Sequence, residues 1–363
     1  MNIKIKLLII CLFFAGLFAF ANTNEWSTKM MNFVGPVIRI YSIDLTKPNF
    51  DPKEKQSLLL AIKDLRNTSH GLKFSVMNYF SKKDPAIEAV YHQFQNNLDM
   101  AEKTMAFSTQ QSIFYLRSAI GQCASCHSNG GKSTHLFGLF KDTKIPPTDK
   151  GRLALALRDY EASREIFKSI LIDNKYHENY FKINDILVSY LNAALLSDWP
   201  KTKVVKDLQN VLAISKNEGT RNDLKNIILD IESSKSINTF DEALAKFNTY
   251  SKDIANFDKF MFTSLNVKNT LHGKLKNLTS LSQKAKAYEI LGDIYSHFSE
   301  ISIFMVPESY YELCVTIQPK TLLAKECVKK YQNKITLGYS GSMGSTVPEF
   351  EKVKMQYLKN LTN

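Results

Sequence analysis

The chain has 363 residues, 44% of them hydrophobic and 23% charged, with 14 glycines and 10 prolines. That balance excludes a disordered, collagen-like or disulfide-scaffold protein and suits about two globular domains. The formal charge of +12 comes from lysines scattered along the chain rather than clustered, which reads as a solvated surface.

Lys4 and Lys6 precede an uncharged apolar run from Leu7 to Ala21, which ends in Ala19-Phe20-Ala21. The run is short of the about 20 residues that span a bilayer. Basic start, apolar middle and small-residue exit together read as a cleavable secretory signal over 1–21, with an uncleaved anchor as the alternative. Ile9 and Ile10 stand before Cys11 where a lipoprotein would need a small residue. The expectation is a periplasmic protein that keeps Cys123, Cys126, Cys314 and Cys327. An oxidising compartment weakens a cytosolic zinc or thioredoxin-type role and favours disulfides. There, an acidic redox partner protein or contact with an anionic membrane surface suits the positive charge better than nucleic acid does.

Four consecutive helices are expected over 26–128. The first runs from Trp26 to Ile43, with Met30, Phe33, Val34, Val37, Ile38 and Tyr41 along one side and Gly35-Pro36 inside it. Asp51-Pro52-Lys53-Glu54 supplies an N-cap, a proline at the first helical position and a glutamate at the third. Leu58, Ile62, Leu65, Ser69, Leu72, Val76 and Phe80 then recur at spacings of four and three. Asp84-Pro85 opens the third helix, with its stripe at Ile87, Val90, Phe94, Leu98, Ala101 and Met105. Ser108 and Gln111 open the fourth, whose stripe is Ile113, Leu116, Ile120, Cys123 and His127. Such spacing is the seam of an antiparallel bundle with short connections.

The fourth helix ends in Cys123-Ala124-Ser125-Cys126-His127. On a helix, i, i+3 and i+4 share one face, so both sulfurs can reach one edge of a porphyrin and the imidazole can turn under its iron. Cys-x-x-Cys-His in an exported chain points to covalently attached haem c. The bland alternative is a local Cys123–Cys126 disulfide with His127 as a bystander.

Four helices with this motif at the end of the last resemble the class II cytochromes c, the cytochrome c′ group. The resemblance covers about 105 residues. It implies thioether attachment of one haem at Cys123 and Cys126 and iron ligation by His127. In low-spin members the sixth ligand is a methionine on the first helix, and Met30 and Met31 occupy the matching place; otherwise both are core residues and the iron is five-coordinate. His70 and His92 are further candidates within reach. Family members are often dimers, which makes a homodimer through the bundle an expectation to test. The aromatic–basic pair that usually follows the motif is replaced here by Ser128-Asn129-Gly130-Gly131-Lys132.

The polar stretch 141–150, with Pro146-Pro147, reads as a linker, dividing a bundle over 22–140 from a helical region over 151–363. In the latter, Ser163 and Phe167 are four apart, and Tyr288, Leu291, Gly292 and Tyr295 are followed by Tyr311, Cys314 and Pro319. These fragments resemble tetratricopeptide repeats, and an unrelated helical bundle is the alternative. Cys314 and Cys327 flank Pro319, so a disulfide across the last hairpin is expected.

The expected fold is therefore all-α: an antiparallel four-helix cytochrome bundle followed by a helical-repeat domain. The expected function is one-electron transfer by a periplasmic monohaem c-type cytochrome that docks a redox partner and is not an enzyme. The alternatives are a gas-binding haem protein for NO or CO and a redox-sensing scaffold.

Overall fold

The computed structural model describes residues 32–41, 43, 50–75, 85–127, 138, 141–142, 145–173, 180–252, 256–298, 306–341, 344–345, 347 and 349–363. Among the described residues the chain is all-α, apart from a two-residue antiparallel ribbon of β1 (Ser340–Gly341) and β2 (Gly344–Ser345). The first helix, α1, covers 32–41 with Gly35 and Pro36 inside it. Then come α2 (Pro52–Ser75), α3 (Pro85–Met105) and α4 (Thr109–His127).

Local chemistry starts these helices where the residues indicate. The Asp51 side chain accepts from the Glu54 N–H at 2.8 Å, and the Glu54 carboxylate accepts from the Asp51 N–H at 3.1 Å. That reciprocal pair satisfies two amides that the first turn of α2 leaves without helical partners. Ser108 accepts from the Gln111 N–H at the head of α4.

Helices α1 to α4 share a core of Phe33, Val37 and Ile40, Leu58, Ile62 and Leu65, Phe94 and Leu98, and Leu116 and Ile120. Their directions alternate. Arg39 of α1 pairs with Asp64 of α2 at 2.5 Å, and Phe33, earlier in α1, touches Phe94 of α3 with ring centres 6.1 Å apart. Arg66 of α2 pairs with Glu102 of α3, whereas Ser69, further along α2, accepts from Tyr91, earlier in α3. Ser112 at the head of α4 donates to the Ala101 carbonyl near the end of α3. The start of α1, the end of α2, the start of α3 and the end of α4 therefore lie at one end of this group.

The stretch 141–150 is not the free connection its composition suggests. α5 (Pro147–Ala156) begins inside it, with Pro146 at the N-cap, and Ile145, Leu153 and Ala154 are buried in the first core. Two adjacent prolines read as a linker, but proline is also a favourable first helical residue because its missing N–H is not needed there.

The remaining helices are α6 (Tyr160–Ile172), α7 (Tyr180–Leu196), α8 (Lys201–Ile214), α9 (Glu218–Ser233), α10 (Phe240–Tyr250), α11 (Asn256–Lys259), α12 (Met261–Leu275), α13 (Leu281–His297), α14 (Val306–Ile317), α15 (Leu322–Gly338) and α16 (Glu349–Leu361). They build a second core that runs from Phe167 to Leu358. Several helices pack on their successor and also on the next but one: α5 on α6 and α7, α13 on α14 and α15, α14 on α15 and α16.

Polar contacts repeat at a separation of 33 residues. Arg164 donates to Ser197, Lys201 to Ser234, Thr263 to Asp230, and Thr270 to the Ile237 carbonyl. The two halves also touch. α14 packs on α3, Ile166 of α6 packs against both cores, and Tyr339, just after α15, lies beside Tyr115 of α4.

Candidate functional site

Cys123, Cys126 and His127 fall within the last five residues of α4, and their i, i+3, i+4 spacing puts these three positions on one side of that helix. Their side chains, and Met30 and Met31 altogether, lie outside the described residues. The structure does show where α4 ends. It finishes at the end of the four-helix group where α1 begins, so the topology brings residue 32, the first described in α1, and the backbone of the motif to the same end.

The described residues toward this end are mainly apolar or internally satisfied. Phe33 and Phe94 pack on each other, and Ile120 is buried one turn before Cys123. Tyr91 donates to the Ser69 carbonyl at 2.9 Å, and burial pushes its phenol above the usual range, with the Gln95 hydrogen bond opposing that shift. The two histidines considered as alternative ligands are both exposed. His70 spends Nδ1 on the Arg66 carbonyl at 2.8 Å, within its own helix. His92 lies beside the Tyr91 ring. Among the described residues no group of three or more His, Cys, Asp or Glu side chains is placed to hold a metal ion.

The other expected cysteine pair is described. The sulfurs of Cys314 on α14 and Cys327 on α15 are 2.02 Å apart, with Cα atoms at 6.3 Å, and both residues are fully buried. The bond closes the turn that contains Pro319 and Lys320, the latter held at φ 63°.

Two buried titratable sites appear that periodicity gave no reason to expect. On α12, Lys268 and His272 are buried one turn apart. Burial lowers the Lys268 ammonium to about 7. Burial, reinforced by the Lys268 charge, holds the His272 imidazole well below its ordinary value. On α14, Glu308 is buried with one carboxylate oxygen lacking any hydrogen-bond partner, and burial raises its carboxyl to about 7. Around it stand Lys334 of α15 and Glu351 and Lys354 of α16. Glu351 accepts from the Tyr331 hydroxyl at 2.8 Å, and Lys354 pairs with Glu312 at 2.6 Å. Buried charge that depends on partners from distant segments leaves no sequence signal beyond a lysine or glutamate on a helix.

Compared with protein-family models, with curated proteins and with solved structures, the chain matches none of them. No helix among the described residues is long and apolar enough to cross a membrane.

Proposed function

We propose that this is a monohaem c-type cytochrome that transfers single electrons, with its helical second half serving to dock a redox partner protein. The observation that carries the reading is Cys123-x-x-Cys126-His127 on the closing turns of α4, at the end of the four-helix group where α1 begins. Cys123 and Cys126 would hold the haem through thioether bonds and His127 would ligate its iron; when bound, the haem supplies reversible one-electron chemistry. The donor set fits such a group: two thiols and an imidazole within five residues, next to a core whose described polar groups are already hydrogen-bonded.

The protein's own part is to hold that group rigidly and limit water at it. The Phe33–Phe94 contact and the buried Ile120 supply apolar walls. The Tyr91–Ser69 bond ties α3 to α2. Met30 or Met31, just ahead of the described part of α1, is the proposed sixth ligand. If neither ligates, the open iron position favours the gas-binding alternative. A four-helix bundle followed by a degenerate repeat array is the proposed architecture. The contacts 33 residues apart, and the shared close approach of Gly151 to Phe167 and of Gly292 to Tyr311, support the repeat reading. Export to the periplasm is part of the same proposal, resting on residues 1–21.

Expression alongside cytochrome c maturation machinery tests it. The denatured protein should keep its haem through electrophoresis, and Cys126→Ser should weaken or abolish attachment. A colourless product under those conditions would refute the reading.

A further inference from the structure

Lys268 and His272 lie at the junction of α7, α12, α13 and α14, 1% and 7% exposed respectively. Lys268 Nζ donates to Asn192 Oδ1 on α7 at 2.7 Å and lies 5.8 Å from the centre of the Tyr295 ring on α13. His272 Nε2 is 2.9 Å from the Tyr295 hydroxyl, while its Nδ1 is buried without a partner. Tyr310 of α14 stacks on Tyr295 and sets its ring 5.8 Å from the imidazole.

The surroundings offer no counter-charge to this pair. α7 contributes the neutral amide of Asn192, α13 contributes Tyr295, and α14 contributes Tyr310, on which Tyr288 of α13 also stacks. The buried carboxylate of α9, Asp230, is engaged by the Thr263 N–H at 2.9 Å and the Thr263 hydroxyl at 2.5 Å, and its nearby cation is Lys246. On α11, Asp258 pairs with His297. Among the described residues no carboxylate pairs with Lys268 or His272.

We propose that Lys268 and His272 form a proton-operated lock: neutral, they hold α12 against α7, α13 and α14, and on taking up protons they release it. Two positive charges one helical turn apart in a shell of phenols and one amide would repel each other and lack the partners that make buried charge tolerable. The lowered affinity of both groups for protons in the closed state is the same statement seen from the proton's side. An opened state restores their ordinary affinities, so falling pH draws the equilibrium toward opening. Since α14 also packs on α3, the release reaches the four-helix core in a single step. The lock is independent of whether haem is attached.

Amide hydrogen exchange of the full chain, corrected for intrinsic rates, tests the lock. Between about pH 8 and about pH 5.5, protection in α12 and α13 should fall about a hundredfold from the two linked protonations. The double variant Lys268→Met/His272→Phe should show no such fall. Unchanged protection in the wild type, or the same fall in the variant, overturns the proposal. Should the variant fail to fold, the wild-type His272 ring decides by NMR. No titration above about pH 5 supports the lock, and titration at the ordinary histidine value of about 6.5 overturns it.

Discussion

Gly292 on α13 faces the ring of Tyr311 on α14 so closely that a Cβ at residue 292 would lie 2.5 Å from a ring carbon. The ring cannot easily yield: Tyr311 is buried, and its hydroxyl donates to Asp293 at 2.9 Å. The same relation recurs between Gly151 on α5 and Phe167 on α6, where a Cβ would come within 2.7 Å of the ring. Ser163 reinforces that second pair by donating to the Gly151 carbonyl at 2.9 Å. In both hairpins the absent side chain is what lets the helices approach.

Gly292→Ala should therefore destabilise the protein by about 1–3 kcal/mol through overpacking. Gly273, exposed on α12 with nothing within 4 Å of its would-be Cβ, is the internal control. Gly273→Ala should instead stabilise by about 0.5–1 kcal/mol, the ordinary helix-propensity gain. Chemical denaturation of the two variants checks the opposite signs, and a neutral Gly292→Ala would show that the hairpin is looser than its geometry.

Glu308 predicts a pH dependence. Burial raises its carboxyl from an unfolded value of 4.5 to about 7 in the folded chain. A raised folded value means that the folded state holds the proton more tightly than the unfolded state. The stability this contributes is present in full below about 4.5 and is lost as pH rises through about 7. The loss amounts to about 3 kcal/mol. Glu308→Gln removes the ionisation while keeping the shape. The difference in unfolding free energy between wild type and variant, followed from about pH 4.5 to about pH 8, should move against the wild type by that order. Using the difference cancels the opposite trend expected from Lys268 and His272. A flat difference would mean that the carboxyl is solvated.

The sixth-ligand proposal separates electron carrier from gas binder. Met30 and Met31 are neighbours, and neighbours on a helix point about 100° apart, so one of them at most can serve. In the haem-loaded protein, replacing the right one with Ala should leave the iron high-spin and quick to bind CO, while the other substitution changes little. A wild-type protein that already binds CO rapidly would make both methionines core residues and favour the gas-binding reading.

Much of what is described between residues 32 and 127 was readable from local chemistry. The starts at Pro52, Pro85 and Thr109 follow from caps and prolines that act within three or four residues, and the stripes Leu58, Ile62, Leu65 and Ile113, Leu116, Ile120 are buried as their period requires. The motif is legible for a similar reason: the proposed attachment of one group by two thiols and an imidazole would compress the requirement into five consecutive positions.

What only the tertiary structure decided depends on segments far apart in the chain. Lys268 and His272 look like any basic i, i+4 pair on a solvated helix until Asn192, Tyr295 and Tyr310 close over them. Glu308 resembles an ordinary first-turn glutamate, and its burial comes from α15 and α16. Pro146-Pro147 reads as a break, yet Ile145 and Leu153 on either side are drawn into the first core. The 33-residue rhythm of contacts escaped detection because it is carried by different residue types at each turn, Arg with Ser, Lys with Ser, and Asp with Thr. Caps and periodicity are decided within one helical turn, whereas desolvation is decided by whatever the rest of the chain lays on top.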